Sequence, residues 1–279
     1  MEYATIGSEY RQVFLQNGEA EMPKMTKVPI TAMRALTENI FDMVVCEPEL
    51  AAAARPGQFL SFYLEDAGRL LPRPISLCDC RRETGELRMV FRVAGEGTRQ
   101  LSQKKAGDTV EIMGPLGNGF FASDCKKALV IGGGIGIPPM LGLAKQLTKE
   151  GKHVTAVLGY RDSRTFLSEE FSKTADVLTA TGDGSVGTRG TVLDAIRAAG
   201  VTAEMLYACG PTPMLKGIQT LAREWGVPAQ LSLEERMACG IGACLACVCR
   251  SAKKDAHSQV NHKRVCKDGP VFYAEEIVW

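Results

Sequence analysis

The chain has 279 residues, 45% of them apolar and 23% charged, with a formal net charge of +1 and ten cysteines. That length implies roughly two or three compact units, and the composition is that of a folded globular protein, which excludes the disordered class. Acidic and basic residues are interspersed without a basic stripe, so nucleic acid is not an expected partner. The cysteines are too sparse for a small secreted disulfide scaffold and are expected to be metal ligands or buried thiols in a reducing compartment.

Residues 1–24 are polar and aperiodic and read as a loose tail, with Met25 an alternative start. Acidic residues stand where a signal peptide would be basic, and no apolar h-region follows. From Lys27 to about Phe121 the chain reads as short strands bounded by Gly, Pro or charged turns: "QFLSFYLE", "RPISLCDC", "GELRMVFRVA" and "DTVEIMGPLG". Such spacing predicts a small antiparallel barrel. Near Lys126 the pattern changes. "KKALVIGGG" is a continuous apolar run ending in glycines and "PPMLGLAKQLTKEG" is helical; "HVTAVLGY" reads as strand and "SEEFSK" as helix. "ADVLTAT", "TVLDAIRAAG", "EMLYACG" and "PTPMLKGIQTLAREWG" continue the alternation to "PAQLSLE". Apolar strands alternating with helices predict a parallel sheet covered on both faces. The uncharged run Ala128–Ala144 is the one membrane candidate. Its seventeen residues include five glycines and two prolines, which suits a buried strand and loop better than a span. No membrane association is expected, and the chain reads as cytoplasmic. After Glu235 it turns cysteine-rich and irregular.

Within "VIGGGIGIPPM", Gly132, Gly133, Gly134 and Gly136 lie between a strand and a helix, with Pro138 and Pro139 near the helix start, where a missing N–H does no harm. A glycine-lined helix N-terminus takes a pyrophosphate; the bland alternative is tight strand–helix packing. Cys209, Gly210 and Pro211 stand at a second strand-to-helix junction, and in a parallel sheet both junctions face one crevice. In the barrel region "RPISL" offers the cation Arg73, the stiffening Pro74 and the hydroxyl of Ser76. "FRVAGEGT" ends in Gly97 and Thr98 ahead of a short helix, another candidate phosphate seat. For each of these a surface turn with a solvated arginine is the alternative.

Cys239, Cys244 and Cys247 are spaced C-x4-C-x2-C, Gly240 and Gly242 lie in the first gap, and eighteen residues separate Cys247 from Cys266. This is the ligand spacing of a plant-type 2Fe-2S cluster, and glycine permits the tight dihedrals that aim backbone N–H groups at sulfide. Zinc is the main rival, although a structural zinc site usually pairs C-x2-C with a second C-x2-C. Cys249 is a competing ligand or a buried free thiol. His257 and His262 raise Rieske-like ligation, but both sit in the charged stretch "SAKKDAHSQVNHKR", which reads as a solvated loop.

Together the RPIS, GGGIGIP and CGP motifs resemble the ferredoxin–NADP reductase superfamily, which pairs a flavin barrel with a nicotinamide domain. "LEERMACGIGACLACVC" with "CKDGPVF" after such a reductase resembles the electron-transfer subunits of class 1B dihydroorotate dehydrogenases, from about Lys27 to Trp279. The implied fold is multi-domain β plus α/β: a polar tail over 1–24, an antiparallel FAD-binding β-barrel over 25–122, a doubly wound parallel-sheet NAD domain over 123–234 and a small 2Fe-2S domain over 235–279. The resemblance places Arg73, Pro74, Ile75 and Ser76 in a first FAD segment, with Arg73 on the diphosphate and Ser76 near the reactive edge. Val90, Phe91 and Arg92 match a second, and Gly97 with Thr98 a third. Cys239, Cys244, Cys247 and Cys266 match the cluster ligands. Two departures stand out: the polar stretch before Cys266 is a few residues longer than the family pattern, and the N-terminal extension has no counterpart in it.

The implied activity is a relay linking NAD, FAD, the cluster and the FMN of a catalytic subunit that oxidises dihydroorotate to orotate in pyrimidine biosynthesis, within a heterotetramer. A flavin is needed because nicotinamide moves two electrons together and the cluster one. Cys209 is the candidate neighbour of the nicotinamide, with a small buried residue at a strand end as the alternative reading. Arg161 and Arg164 stand where an arginine pairs with a 2′-phosphate; the resemblance favours NAD, and the residues alone leave NADP open. Two rivals remain. One is the electron-transfer subunit of a hydrogenase or a ferredoxin:NADP oxidoreductase; the other is a non-enzymatic zinc-stabilised adaptor, against which the intact motifs argue.

Overall fold

The computed structural model describes residues 24–64, 71–254 and 259–279. The expected tail up to Pro23 and His257 lie outside the described residues. Six strands close an antiparallel barrel in the order β1-β2-β5-β4-β3-β6. They are β1 (Lys24–Ala35), β2 (Ile40–Cys46), β3 (Phe59–Tyr63), β4 (Arg73–Arg81), β5 (Glu86–Arg92) and β6 (Thr109–Leu116). Helices α1 (Pro48–Ala53) and α2 (Glu96–Ser102) lie between them. Alternate residues fill the interior: Val28 and Ile30, Met43 and Val45, Leu60 and Phe62, Ile75 and Leu77, Leu87, Met89 and Phe91, Val110 and Ile112, as the two-residue period of a strand requires. Lys24, placed by sequence in the tail, pairs instead with Gly114 at the start of β1.

The second unit is a seven-stranded sheet, ordered β10-β9-β8-β7-β11-β12-β15. It comprises β7 (Lys127–Gly133), α3 (Ile137–Lys149), β8 (His153–Tyr160), α4 (Ser168–Ser172), β9 (Asp176–Thr181), β10 (Thr188–Arg189), α5 (Val192–Ala199), β11 (Met205–Cys209), α6 (Thr212–Trp225) and β12 (Ala229–Ser232). The continuous apolar run of β7 is explained by burial on both faces. Ala128 and Val130 pack under α3 with Met140 and Leu141, while Leu129 and Ile131 pack with Ile196 and Ile218 of α5 and α6. α3 also covers the barrel: a Cβ on Gly142 would lie 2.8 Å from the Cys78 carbonyl oxygen, so glycine lets the helix seat on β4.

After β12 the chain is less irregular than its composition suggests. It forms the hairpin β13 (Val248–Arg250) and β14 (His262–Arg264), then β15 (Val271–Tyr273). β15 pairs antiparallel with β12 through Gln230↔Tyr273, Leu231↔Phe272 and Ser232↔Val271. His262 lies exposed on β14 rather than in a loop. The C-terminus is tied to α6, where the Gln219 side chain donates to the Ala274 and Ile277 carbonyls and accepts from the Trp279 indole N–H. Among the described residues no helix is long and apolar enough to cross a membrane.

A buried ion network joins barrel to sheet. Arg88 of β5, 5% exposed, donates two hydrogen bonds to Asp42 at 2.9 Å and two to Glu170 of α4 at 2.6 and 2.8 Å. Asp42 also accepts from the exposed Arg34 at 2.7 Å. The Arg88 hydrogen bond holds the Glu170 carboxyl below its ordinary value. This contact therefore contributes stability above the unfolded-state pKa and loses it as pH falls through the folded value. Arg88→Met, which leaves Glu170 without its arginine, is expected to destabilise by about 3–5 kcal/mol. Arg81→Ala, at an exposed pair with Glu86, is expected to cost under about 1 kcal/mol; urea unfolding of both variants checks the contrast.

Candidate redox site

The register of β4 leaves a notch in the barrel. The β4–β5 ladder runs from Leu77↔Met89 to Arg81↔Glu86. Beyond it the strands part: Arg73–Ser76 pair with Phe59–Phe62 of β3 on one side, and Val90–Arg92 pair with Ile40–Asp42 of β2 on the other. The facing main-chain edges of the two segments border the notch, and an unpaired strand edge offers alternating donors and acceptors to a planar ligand. Ile75, Val90 and Phe91 bury their side chains, so what these three offer a ligand there is main chain. Pro74 and Arg92 are exposed and Ser76 is half-buried.

At one end of the notch Arg73 meets α2. A Cβ on Gly97 would lie 3.0 Å from Arg73 Cδ and 3.2 Å from a guanidinium nitrogen, and the Arg73 guanidinium donates to the Leu71 carbonyl at 2.6 Å. Gly97 and Thr98 lie within the first turn of α2 rather than ahead of it. The Thr98 hydroxyl accepts from the Ala94 and Gly95 N–H groups. A fixed cation beside a backbone that carries no side chain is a seat for a phosphate group.

Across the notch stand the two glycine junctions of the sheet. Strand order reverses between β7 and β11, which puts the crevice of a doubly wound sheet at the ends of these strands. There the loops touch: a Cβ on Gly136 would lie 2.4 Å from the Cys209 carbonyl oxygen, one on Gly133 2.5 Å from Met214 Sδ, and one on Gly210 2.7 Å from Met214 Cε. Gly132 abuts Ile137, Pro211 precedes α6, and Gly134 lies under the Arg92 guanidinium. Arg92 thus reaches from the barrel to the glycine loop after β7. Burial pushes the Cys209 thiol up to about 12, opposed by a hydrogen bond with Ser232; the group is a neutral thiol rather than a nucleophilic thiolate. Behind β8, Arg164 is engaged by Asp162 at 2.9 Å, and that contact holds the carboxyl down to about 2. A carboxylate at this position suits a ribose hydroxyl and repels a 2′-phosphate.

The cysteine loop follows β12. Cys239 Sγ accepts from the Ala243 and Cys244 N–H groups at 3.3 and 3.4 Å. Burial raises the Cys239 thiol, but hydrogen bonds from Cys244, Ile241 and Ala243 outweigh it and bring the pKa down to about 6. Gly240 and Gly242 take φ of 72° and 84°, the left-handed region that turns successive N–H groups inward. The β13–β14 hairpin brings Cys266 to Cys247: the Cys266 N–H donates to Cys247 Sγ at 3.4 Å and the Val265 N–H to the Cys247 carbonyl at 2.9 Å. The main chain thus joins the cysteines in two pairs, the Cys244 N–H on Cys239 Sγ and the Cys266 N–H on Cys247 Sγ. Four thiols with main-chain donors aimed at sulfur fit an iron–sulfur group. Burial, then Cys247, raises Cys266 to about 12. Cys249 is half-buried on β13, and burial raises its thiol to about 11. Sequence reasoning missed the clamp around the loop. Arg264 pairs bidentately with Asp268 at 3.0 and 3.1 Å and donates to the Gly242 carbonyl at 3.3 Å; the four-residue spacing of Arg264 and Asp268 was its only local signal.

Residues 234–278 match the family model described as the iron-sulfur cluster binding domain of dihydroorotate dehydrogenase B. Residues 130–220 match the oxidoreductase NAD-binding domain. The dihydroorotate dehydrogenase B (NAD(+)) electron transfer subunit of Geobacillus sp. (strain WCH70) is 42% identical over 262 residues, covering 92% of this chain and 100% of the relative. That of Bacillus caldolyticus is 43% identical over 257 residues, covering 90% and 98%. Among solved structures, the NADH-dependent reduced ferredoxin-NADP oxidoreductase is 35% identical with a TM-score of 0.81, over 90% of each chain. The ferredoxin reductase of carbazole 1,9a-dioxygenase is 24% identical with a TM-score of 0.63, over 75% and 68%, and shows the shared fold alone. The chain therefore belongs to the family of electron transfer subunits of the NAD-dependent dihydroorotate dehydrogenase B.

Proposed function

We propose that the chain passes electrons between NAD and an FMN-containing catalytic subunit that oxidises dihydroorotate to orotate, using FAD and a 2Fe-2S cluster, within a cytoplasmic heterotetramer. The observation that carries the reading is the pairing of Cys239 with Cys244 and of Cys247 with Cys266, each through a main-chain N–H of one cysteine on the sulfur of the other. A dinuclear cluster takes two ligands on each iron, whereas zinc takes its four around one point.

Bound FAD supplies the conversion between the two-electron hydride of NAD and the single electrons that a cluster carries. The residues of the chain bind, orient and insulate. Arg73 and the first turn of α2 hold the flavin diphosphate. The main chain of Ile75, Ser76 and Val90–Arg92 borders the flavin ring, with the Ser76 hydroxyl at its edge. Gly132, Gly133, Gly134, Gly136, Gly210 and Pro211 receive the dinucleotide, and the neutral Cys209 thiol flanks the nicotinamide without competing as a base. Asp162, with Arg164 turned onto it, favours NAD over NADP. Around the cysteine loop Ile241 and Leu245 are 46% and 60% exposed; this apolar rim beside the thiols suits the catalytic partner, which must approach the cluster closely.

A second reading, an electron-transfer subunit of another NAD(P)H-linked complex, is favoured by the 35% identity to the ferredoxin-NADP oxidoreductase. Dihydroorotate-dependent NAD reduction by the complex purified with its natural partner separates the two, since that activity is absent under the second reading.

Arg73→Ala is expected to weaken FAD binding at least tenfold, about 1.4 kcal/mol, read as flavin content after gel filtration; full occupancy would reject its diphosphate role. Gly136→Ala, whose Cβ would meet the Cys209 carbonyl oxygen, is expected to raise the KM for NADH about tenfold or more at unchanged flavin content. Cys239→Ser is expected to abolish the cluster while FAD stays. NADH-to-dye activity then survives and delivery to the partner stops; loss of dye reduction with FAD still bound would show that the flavin does not precede the cluster.

A further inference from the structure

Ser61 of β3 is 1% exposed, and its hydroxyl is buried without a hydrogen-bond partner. A buried hydroxyl without a partner is rare and calls for an explanation such as an ion or ligand beside it. The surroundings of β3 indicate one. Leu60 and Phe62 point into the barrel, and the alternate residues Phe59, Ser61 and Tyr63 face the other way. Phe59 packs in one core with Cys247, Val265 and Cys266. A Cβ on Gly240, the residue after Cys239, would lie 2.9 Å from Ser61 Oγ. Ser61 thus meets the cysteine segment directly, and Phe59, the preceding outward position, shares its core. Its neighbour across the β3–β4 ladder is Pro74, and that of Phe59 is Ser76. Ser61 therefore stands between the RPIS segment and the cysteine loop.

An alanine would fill this site equally well if packing were its only role; what serine adds is one O–H donor. We propose that Ser61 is a positioning residue whose hydroxyl donates a hydrogen bond to the iron–sulfur centre held by Cys239, Cys244, Cys247 and Cys266, on the side facing the flavin notch. The inference rests on the cluster reading given above. A donor at this place stabilises the reduced centre, which carries one more negative charge, more than the oxidised one. It therefore raises the reduction potential and favours transfer out of the flavin.

The test is an anaerobic redox titration of the full chain with its partner, followed by visible absorbance and electron paramagnetic resonance. Ser61→Ala is expected to keep its iron, sulfide and FAD and to shift the cluster potential negative, with NADH-to-dye activity unchanged. Ser61→Thr and Ser61→Val give an isosteric pair that differs only in the hydroxyl, and it carries the test should the alanine variant fail to load iron. The threonine variant is expected near the wild-type potential and the valine variant below it. Equal potentials in threonine and valine, or an unmoved alanine variant with its iron loaded, would overturn the inference alone. A wild-type chain lacking iron and sulfide would overturn the cluster reading, and this inference with it.

Discussion

Among the described residues the cysteine segment has no hydrophobic core of its own. Its buried residues Cys247, Val265, Cys266 and Phe272 share one cluster with Leu206, Leu231 and Leu233 of the parallel sheet and with Phe59 and Leu116 of the barrel. A segment this short cannot bury enough apolar surface alone, so it folds only against the other two units. The sharing has a functional consequence. Thiols, barrel notch and glycine crevice are held in one packed body, and their separations are set by side-chain contact rather than by a linker. The Arg88 network adds an ionic contact that fixes β5 of the barrel against α4 of the sheet unit.

Within that body the proposed roles are placement rather than acid–base chemistry. The groups offered to ligands in that proposal are main-chain edges released by the splayed β4 and β5, glycines that admit close approach, one arginine beside Gly97, and sulfur that accepts from N–H donors. Two titratable groups at the ends of the sheet strands are held in one state. Burial holds Cys209 protonated, and Asp162 is tied to Arg164. Such a site suits a chain through which electrons pass and in which no substrate bond of its own is made.

How much of this could be read from residues alone divides along sequence separation. β7 with its glycines, the junction at Cys209–Pro211 and the cysteine spacing were legible because each is a local pattern whose chemistry depends on neighbours a few positions away. β1 and β2 were not singled out, although β1 is the longest strand; with Pro29 and several charged residues it shows the alternation only through Val28 and Ile30. The return of β15 onto β12 was hidden, since nothing in "VFY" says which edge it will meet. The notch depends on where the β4–β5 ladder stops, a matter of register. Arg88 with Glu170, 82 residues apart, and Ser61 with Gly240 are contacts between distant segments that only the fold creates. Tertiary packing also moved Gly97 and Thr98 into the first turn of α2, so that Arg73 rests on a helix.

The most direct measurement is anaerobic titration of the purified chain with NADH alone, following flavin bleaching by absorbance and the cluster by low-temperature electron paramagnetic resonance. If flavin and cluster lie in one packed body, NADH bleaches the flavin and then raises the signal of the reduced cluster without any partner present. A flavin that bleaches fully while the cluster stays oxidised until dithionite is added would contradict a continuous path through this chain.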